Sequence, residues 1–310
     1  MRIAILGSGA VGGYFGAKLA VAGHDVTFIA RGTHLRAIGE RGLLVWSPLG
    51  DFLARGAATD DPATVSPPPD LVIVAVKGYD NATALPSLRA LTGERTIVLS
   101  LQNGVESAEE IAAQVGRGCV LAGPAYVATA LKAPGHIIQT GTHRRIVFGE
   151  VFDLAPEVSP RVRALADILL AADIQAEPVA DARVPLWEKL IYLAPLAGCC
   201  AAMRMPTGAV WGDPFARDVF FAAVREVEAV ARAEGVEVAA DIVDTVRGYM
   251  DALPQTMTPS LLIDLTAGKR LELEALQGAV VRRGRAHGVP TPILDTLYAV
   301  LKPWAGGRQS

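Results

Sequence analysis

Lys189 stands at the head of a long apolar segment of the sequence. The fourteen residues that follow it, 190–203, contain no Asp, Glu, Lys or Arg. A buried ammonium is unfavourable unless it is paired or used, and a lysine whose pKa is lowered can donate a proton to developing negative charge. In the alternative interpretation, Lys189 shares a solvated stripe with Glu188 while Leu190 faces the core.

A glycine-rich turn near the amino terminus is typical of dinucleotide binding. Gly7, Gly9 and Gly12 form a GxGxxG pattern directly after a strand-like run and directly before a helical one. The first glycine permits a tight turn, the second lets backbone N–H groups approach a pyrophosphate, and the third lets helix and strand pack closely. We therefore expect these glycines, with Ala10 and Val11, to bind the cofactor. A merely glycine-rich turn is the alternative, and it explains the strand–turn–helix context poorly.

The end of the second strand bears on which dinucleotide is bound. NAD-binding units usually carry Asp or Glu there, whereas an arginine accommodates the 2′-phosphate of NADP. The segment DVTFIARG ends in Arg31, and Asp25 lies at its other end, about 15 Å away at ~3.3 Å per residue. The pattern favours NADPH, with Arg31 meeting the 2′-phosphate. The alternative for Arg31 is a solvated surface residue.

Two further apolar runs end in polar residues. LVIVAV leads into Lys77, and TIVLSL leads into Gln102 and Asn103. Open α/β sheets bind their ligands beyond the carboxyl ends of the strands. We therefore expect Lys77 and Asn103 to meet the cofactor, although a lysine after an apolar strand is often only a solvated cap.

These residues require a scaffold of two domains. The pattern predicts a Rossmann-type, doubly wound parallel α/β sheet over residues 1–180 and an all-helical domain over residues 181–310. Helical periodicity continues through residues 260–286. The strand-like runs of the first domain are residues 2–6, 25–30, 71–76, 96–101, 120–129, 145–148 and 174–178.

Composition narrows the class of protein. The formal net charge of −3 over 310 residues gives no attraction to nucleic acid or anionic membrane. The run 190–203 is shorter than the ~20 residues that cross a bilayer, so we expect no membrane span. The amino terminus has no secretory pattern, which favours a cytoplasmic protein. The three cysteines and five histidines lack ligand spacing, so no metal site is expected.

Several motifs together resemble the ketopantoate reductase family. The resemblance implies a Rossmann-type domain followed by a helical domain of the 6-phosphogluconate dehydrogenase-like kind. It also implies NADPH-dependent reduction of 2-dehydropantoate to pantoate, in the pathway to pantothenate and coenzyme A. The motifs span nearly the whole chain and are, in order, GSGAVGG, AR at residues 30–31, VKGYD, LQNGVE, LWEKL and the stretch PSLLIDLTAGKRLELEALQGAVVRRGRAHGVPTP from Pro259.

The resemblance also implies roles for single residues. The catalytic lysine of the family falls on Lys189, its partner acid on Glu272 and its substrate-binding serine on Ser260. Hydride delivery to a ketone leaves negative charge on the oxygen, and Lys189 would supply the proton there. Burial would lower the pKa of Lys189, and Glu272 would raise it. The cofactor residues fall on three positions already named, Arg31, Lys77 and Asn103, the last of which also reaches the substrate.

Ser260 provides a geometric test of this site. It follows Thr258-Pro259 at a helix start, where free N–H groups suit a substrate carboxylate, although an ordinary capped helix is the alternative. Twelve residues of unbroken helix would separate Ser260 from Glu272 by ~18 Å, too far for both to hold one small molecule. We therefore expect the helix to end near Ala267-Gly268.

Three positions depart from the family pattern. Leu193, Ala197 and Met257 stand where well-known members carry asparagines that hold the hydroxyl and carboxylate groups of the substrate. The second hypothesis is therefore a paralogous NADPH-dependent reductase of a more apolar 2-oxo acid or ketone. A third, of another class, is a non-catalytic NADP(H)-binding redox-sensing module. The apolar helical half also predicts a homodimer through that domain.

Overall fold

The computed structural model of the chain describes residues 1–308, in two compact units. The first unit comprises residues 1–102 and 107–183, and the second comprises residues 103–106 together with the chain from Val184 onward. The single boundary predicted after residue 180 did not anticipate that residues 103–106 pack with the later half of the chain. This short segment begins with Asn103, which is one of the predicted site residues.

The first unit contains the strands that the structure describes. The strands are β1 (Arg2–Leu6), β2 (Asp25–Ile29), β3 (Leu43–Trp46), β4 (Phe52–Ala54), β5 (Ala57–Thr59), β6 (Leu71–Val74), β7 (Ile97–Ser100), β8 (Val120–Ala122), β9 (Ala125–Tyr126), β10 (Thr129–Ala133), β11 (His136–Gln139), β12 (Arg145–Glu150) and β13 (Gln175–Asp181). The helices of this unit are α1 (Ala10–Val21), α2 (Gly32–Arg41), α3 (Asn81–Ala84), α4 (Leu88–Leu91), α5 (Ser107–Val115) and α6 (Pro160–Ala171).

The main sheet has the strand order of a dinucleotide-binding fold. Its parallel strands run β5-β2-β1-β6-β7-β8, so the chain order reverses between β1 and β6. Beyond β8, β12 is antiparallel, and β13 forms the far edge parallel to β12. The predicted Rossmann-type α/β domain is confirmed, and the reversal point marks the sheet edge at which such folds bind ligands.

Burial on both faces explains why the central strands read as continuous apolar runs. All four residues of β6 are fully buried, as are Ile5 in β1 and Phe28 in β2. Tyr14 and Phe15 of α1 pack into the same core, in which their rings meet edge to face at 5.3 Å. Parallel strands covered by helices on both sides have no polar face, which is why these strands could be predicted.

A second, four-stranded sheet was not predicted. Its order is β10-β11-β3-β4, and β10 and β11 form a hairpin around Pro134-Gly135. The single strand predicted over residues 120–129 was also wrong, because the chain breaks at Gly123-Pro124. A Cβ on Gly123 would lie 2.0 Å from the Val147 carbonyl oxygen, and proline has no N–H to continue a ladder.

The described part of the second unit is helical, as predicted. Its helices are α7 (Arg183–Met203), α8 (Thr207–Gly212), α9 (Pro214–Ala233), α10 (Ile242–Ala252), α11 (Ser260–Thr266), α12 (Ala279–His287) and α13 (Pro292–Leu301). By length and composition α7 could cross a membrane, but 67% of its most apolar window is buried inside the protein. Its apolar surface therefore belongs to the core of the unit.

The helix break predicted near Gly268 is confirmed. α11 ends at Thr266, and Gly268 adopts a positive φ of 67°. The Gly268 N–H donates to the Leu265 carbonyl at 3.0 Å, and the next N–H reaches the Asp264 carbonyl at 2.8 Å, which closes the helix end. Glu272 consequently lies in a connection without regular secondary structure, before a single π-helical turn at Glu274–Gly278 that leads into α12.

Candidate active site

The glycine turn of the first unit has the geometry that its sequence predicted. Gly7 has φ of 98°, and a Cβ there would lie 2.5 Å from the Val76 nitrogen. A Cβ on Gly12 would lie 2.3 Å from the Gly7 carbonyl oxygen, so both positions exclude any side chain. Gly9 differs, because within residues 1–308 no heavy atom other than those of Gly9 and its two chain neighbours lies within 4 Å of its Cβ position. Its open side leaves room for a ligand to approach the backbone.

Arg31 and Lys77 both follow strands that end at this sheet edge. Arg31 is exposed at the amino-terminal cap of α2, two residues after β2 ends. Lys77 is half-buried after β6, and Gln102 donates from its side-chain nitrogen to the Val76 carbonyl at 2.9 Å. The ends of β6 and β7 are therefore tied together beside the glycine turn. The cofactor roles of Arg31 and Lys77 stay predictions.

Within the second unit, three of the predicted site residues lie together. The Lys189 Nζ donates to the Asn103 Oδ1 at 3.0 Å, and the Asn103 Nδ2 reaches the Glu272 Oε2 at 3.4 Å. An ammonium has only donors, so the amide oxygen must face Lys189, and the amide nitrogen is then left to face the carboxylate. Asn103 thereby bridges the lysine and the acid.

Separate elements position the members of this group. Lys189 projects from the second turn of α7, and Glu272 precedes the π-helical turn. Asn103 belongs to residues 103–106, and Gly104 lets this segment approach closely: with φ of 91°, its Cβ would lie 2.4 Å from the Ala275 carbonyl oxygen. The Glu106 carboxylate anchors the far end of the segment, 2.7 Å from the Arg282 guanidinium.

The electrostatics of this group suit proton donation. Burial lowers the pKa of Lys189 to about 8, and the negative charge of Glu272 opposes that lowering. Glu272 itself is only 6% exposed. A lysine with a pKa near 8 is mostly protonated at neutral pH, yet it gives up its proton far more readily than an exposed lysine. The hydrogen bond to Asn103 and the lowered pKa of Lys189 favour the site interpretation over a solvated stripe.

A buried glutamine ties the two helical elements of the site together. Gln277, in the π-helical turn, is fully buried and donates from its Nε2 to the Ala194 carbonyl of α7 at 2.6 Å. Gly198 makes room for it, since a Cβ there would lie 3.0 Å from that nitrogen. Nothing in the sequence indicated this link, although π-helical turns are frequent at functional sites.

Within the described residues, no hydrogen bond joins the Ser260 side chain to Lys189, Asn103 or Glu272. Ser260 is exposed at the start of α11, and its predicted role in substrate binding stays a prediction. Ala197 is buried, whereas Leu193 and Met257 are half-buried and pack against the core of the second unit. The sequence RRGR, at residues 282–285, lies on α12, and its three arginines form ion pairs with Glu106, Glu234, Glu274 and Asp295.

A doubly wound sheet with a GxGxxG turn, joined to a helical unit that carries a lysine, an amide and a carboxylate, defines a dinucleotide-binding enzyme. Two family models agree with this class: "Ketopantoate reductase PanE/ApbA" matches residues 3–152, and "Ketopantoate reductase PanE/ApbA C terminal" matches residues 181–305. The chain belongs to the ketopantoate reductase family. It is an oxidoreductase of the 2-dehydropantoate 2-reductase type.

Individual relatives are similar over nearly their whole length. The chain is 32% identical to a 2-dehydropantoate 2-reductase of Archaeoglobus fulgidus, with 97% of each protein covered. It is 26% identical to the uncharacterized oxidoreductase YkpB of Bacillus subtilis, over 97% of this chain and 98% of that protein. The crystal structure of a PanE/ApbA family ketopantoate reductase from Ralstonia eutropha superimposes with a TM-score of 0.89, at 34% identity and 98% coverage of both chains.

Proposed function

We propose that this protein reduces 2-dehydropantoate to pantoate with NADPH, with Lys189 as the proton donor, and so supplies pantoate for pantothenate and coenzyme A. The observation that carries the proposal is the Lys189 ammonium, whose pKa is lowered to about 8 and which is held 3.0 Å from Asn103. The name of the Archaeoglobus relative supports the choice of substrate.

The residues of the first unit fit a nicotinamide dinucleotide. The open side of Gly9 suits the pyrophosphate, and the exposed guanidinium of Arg31 suits the 2′-phosphate that distinguishes NADPH from NADH. Lys77 adds a second cation at the same sheet edge. When bound, this cofactor supplies the hydride that reduces the ketone carbon.

The second unit would supply the proton and its control. As the carbonyl oxygen gains negative charge, the Lys189 ammonium stabilises it and transfers a proton to it. The Asn103 oxygen, as an acceptor, orients the ammonium. Glu272 favours the charged form of Lys189 and so keeps the proton in place until the oxygen becomes basic.

Steady-state turnover with a panel of 2-oxo acids tests the proposal. We expect NADPH oxidation with 2-dehydropantoate, and slower reaction with NADH at equal concentration. No NADPH oxidation with millimolar 2-dehydropantoate would contradict the proposed substrate. The assay varies the cofactor and the 2-oxo acid independently. A wrong cofactor would therefore show as faster turnover with NADH, and a wrong substrate as faster turnover with another 2-oxo acid.

A more apolar 2-oxo acid is the second candidate substrate. Leu193, Ala197 and Met257 offer no amide to a hydroxyl or carboxylate, and in the structure all three lie in or against the apolar core. A pocket without polar partners discriminates weakly against apolar ligands. A best substrate without the hydroxyl group of 2-dehydropantoate would favour this candidate.

Removing the charge of Glu272 is expected to change the pH dependence of reduction. Glu272→Gln removes the negative charge that raises the pKa of Lys189 against the effect of burial, so that pKa falls below about 8. The alkaline limb of the kcat/KM profile should therefore move to lower pH, because the donor must be protonated. The measurement is kcat/KM between pH ~6 and ~9, a range that spans the titration.

A neighbouring carboxylate provides the control for this experiment. Glu274 lies two residues further on, and its carboxylate contacts Arg282, Tyr298 and Lys302. Glu274→Gln should leave the alkaline limb at its wild-type position. An equal movement in both variants, or none in Glu272→Gln, would remove Glu272 from the mechanism.

The homodimer through the helical unit also stays a proposal. Its support is an exposed apolar pair on α9, in which Phe215 is 82% exposed and Val219, one turn later, is 39% exposed. Large exposed aromatic side chains are enriched at subunit interfaces. Light scattering should then give twice the chain mass of 32.5 kDa, and a monomeric mass would refute the dimer.

A further inference from the structure

We propose that His34 is a positioning residue for the dinucleotide, which holds the Ser8–Gly9 peptide so that the Gly9 N–H faces the cofactor pyrophosphate. The inference rests on the cofactor site of the proposed function. His34 lies in the first unit, on the first turn of α2, three residues after Arg31. No earlier step of the mechanism uses it.

Two contacts fix the imidazole ring of His34. Its Nε2 lies 2.7 Å from the Ser8 carbonyl oxygen, and its Nδ1 lies 2.9 Å from the Gly135 backbone nitrogen. The Gly135 N–H can only donate, so Nδ1 must be the acceptor and the neutral ring must carry its hydrogen on Nε2. His34 therefore donates a hydrogen bond to the Ser8 carbonyl, inside the GxGxxG turn.

This hydrogen bond determines where the Gly9 N–H points. In a trans peptide the C=O and the following N–H point in opposite directions, so a fixed Ser8 carbonyl fixes the Gly9 N–H on the other side. The rest of Ser8 is also held, since its N–H donates to the Ile29 carbonyl at 3.1 Å and its hydroxyl donates to the Ile5 carbonyl at 3.2 Å. The hydrogen bond from His34 therefore holds the carbonyl of the Ser8–Gly9 peptide, while the other two contacts hold the N–H and the side chain of Ser8.

Gly9 is the residue at which such control is needed. Glycine rotates its backbone dihedrals more freely than any other residue, and the space around the Gly9 Cβ position is open. A flip of the Ser8–Gly9 peptide would turn a carbonyl oxygen, which carries partial negative charge, toward the bound pyrophosphate. It would also remove one N–H donor from that anion, so both effects weaken binding.

The small second sheet provides the support for His34. Gly135 stands in the turn between β10 and β11 with φ of 74°, and its carbonyl accepts a hydrogen bond from the Leu44 N–H at 2.9 Å. A Cβ on Gly135 would lie 2.9 Å from the Cβ of Ala37, so the turn packs directly on α2. The Gly135 N–H of the hairpin thus holds the Nδ1 side of the ring, and the Nε2 side donates to the Ser8 carbonyl.

The test compares dinucleotide binding in His34→Phe and His34→Gln. Phenylalanine keeps a planar ring and loses both hydrogen bonds, whereas glutamine keeps a donor that can reach the Ser8 carbonyl. We expect His34→Phe to raise the Kd for NADPH by about 10- to 100-fold, because the freed Ser8–Gly9 peptide can turn away and withdraw a hydrogen bond from the charged pyrophosphate. His34→Gln should recover most of this affinity, and kcat at saturating NADPH should change little in either variant.

A pyrophosphate-free fragment distinguishes positioning from general damage. Adenosine 2′-monophosphate probes the Arg31 end of the site only, and its Kd should be the same in wild type and His34→Phe. The exposed His143→Phe serves as the matched control and should bind NADPH as wild type does. Equal weakening for NADPH and the fragment, or an unchanged Kd for NADPH in His34→Phe, would overturn the proposal. Binding is measured without substrate, so an error in the proposed substrate does not affect this result.

Discussion

Lys189→Met is expected to lower kcat for ketone reduction by about 10²- to 10⁴-fold, the usual contribution of a positioned proton donor. Methionine fills a similar volume but has no proton to give, and it leaves the Asn103 oxygen without its 3.0 Å donor. The KM for the ketone should change less than kcat, because the lost interaction is strongest in the transition state. The measurement is steady-state NADPH oxidation at neutral pH.

Two further lysine variants determine the meaning of that result. Lys189→Arg keeps the positive charge, but a guanidinium does not release its proton at these pH values, so it should also be slow. Lys269→Met removes an exposed lysine of the same unit and should behave as wild type. If Lys189→Met retained every reductase rate, the protein would be better described as a non-catalytic NADP(H)-binding module.

Arg31→Ser is expected to have the second-largest effect, on cofactor preference. Loss of the charged hydrogen bonds to a 2′-phosphate should lower kcat/KM for NADPH by about 10- to 100-fold, corresponding to ~1.4–2.8 kcal/mol. The value for NADH should change little, because NADH carries a hydroxyl at that position. The measured quantity is the ratio of the two kcat/KM values.

The far end of the same helix supplies the control for Arg31. Arg41, the last residue of α2, pairs with Glu40 on the surface. Arg41→Ser should leave the cofactor ratio unchanged. An unchanged ratio in Arg31→Ser would mean that Arg31 is a solvated residue and that the basis for choosing NADPH is lost.

Local chemistry explains which parts of the fold could be predicted from sequence. The glycine turn was recognisable because the GxGxxG spacing stands between a strand-like run and a helical run. In the structure a Cβ on Gly12 would meet the Gly7 carbonyl oxygen, and a Cβ on Gly7 would meet the backbone of Val76, just beyond β6. The end of α11 could be predicted because Ser260 and Glu272 would lie too far apart on an unbroken helix to hold one small molecule. Gly268, which adopts a positive φ, is the residue type that commonly ends a helix. The first prediction depended on a motif in its local context, and the second on the length of an unbroken helix.

Long-range packing explains what could not be predicted. The strands of the second sheet are three to five residues long, and β3 pairs in parallel with β11, which lies some ninety residues later in the chain. No local periodicity encodes such a pairing. The hydrogen bond from Gln277 to α7 could not be predicted either. A glutamine in an apolar run is expected to face solvent, and only the structure shows that Gln277 is buried.

The sequence named three residues that the structure brings together, but it did not predict how they are arranged. Lys189, Glu272 and Asn103 could be named from motifs, but Asn103 was expected to serve the cofactor and substrate. In the structure it also lies between the lysine and the acid, with contacts of 3.0 and 3.4 Å. That bridging position depends on the tertiary packing of residues 103–106, which sequence order places with the first unit.

Because residues 103–106 belong to the second unit, we expect that a single cut in the gene does not yield two complete halves of this enzyme. A fragment that begins at Val184 would lack the amide acceptor of its own lysine, and Arg282 would lose the carboxylate of Glu106. The surface over Ala275 that Gly104 covers would be open to water. A chimaera with a related reductase would therefore need to carry this tetrapeptide along with the carboxyl-terminal half, as a graft into the loop before α5.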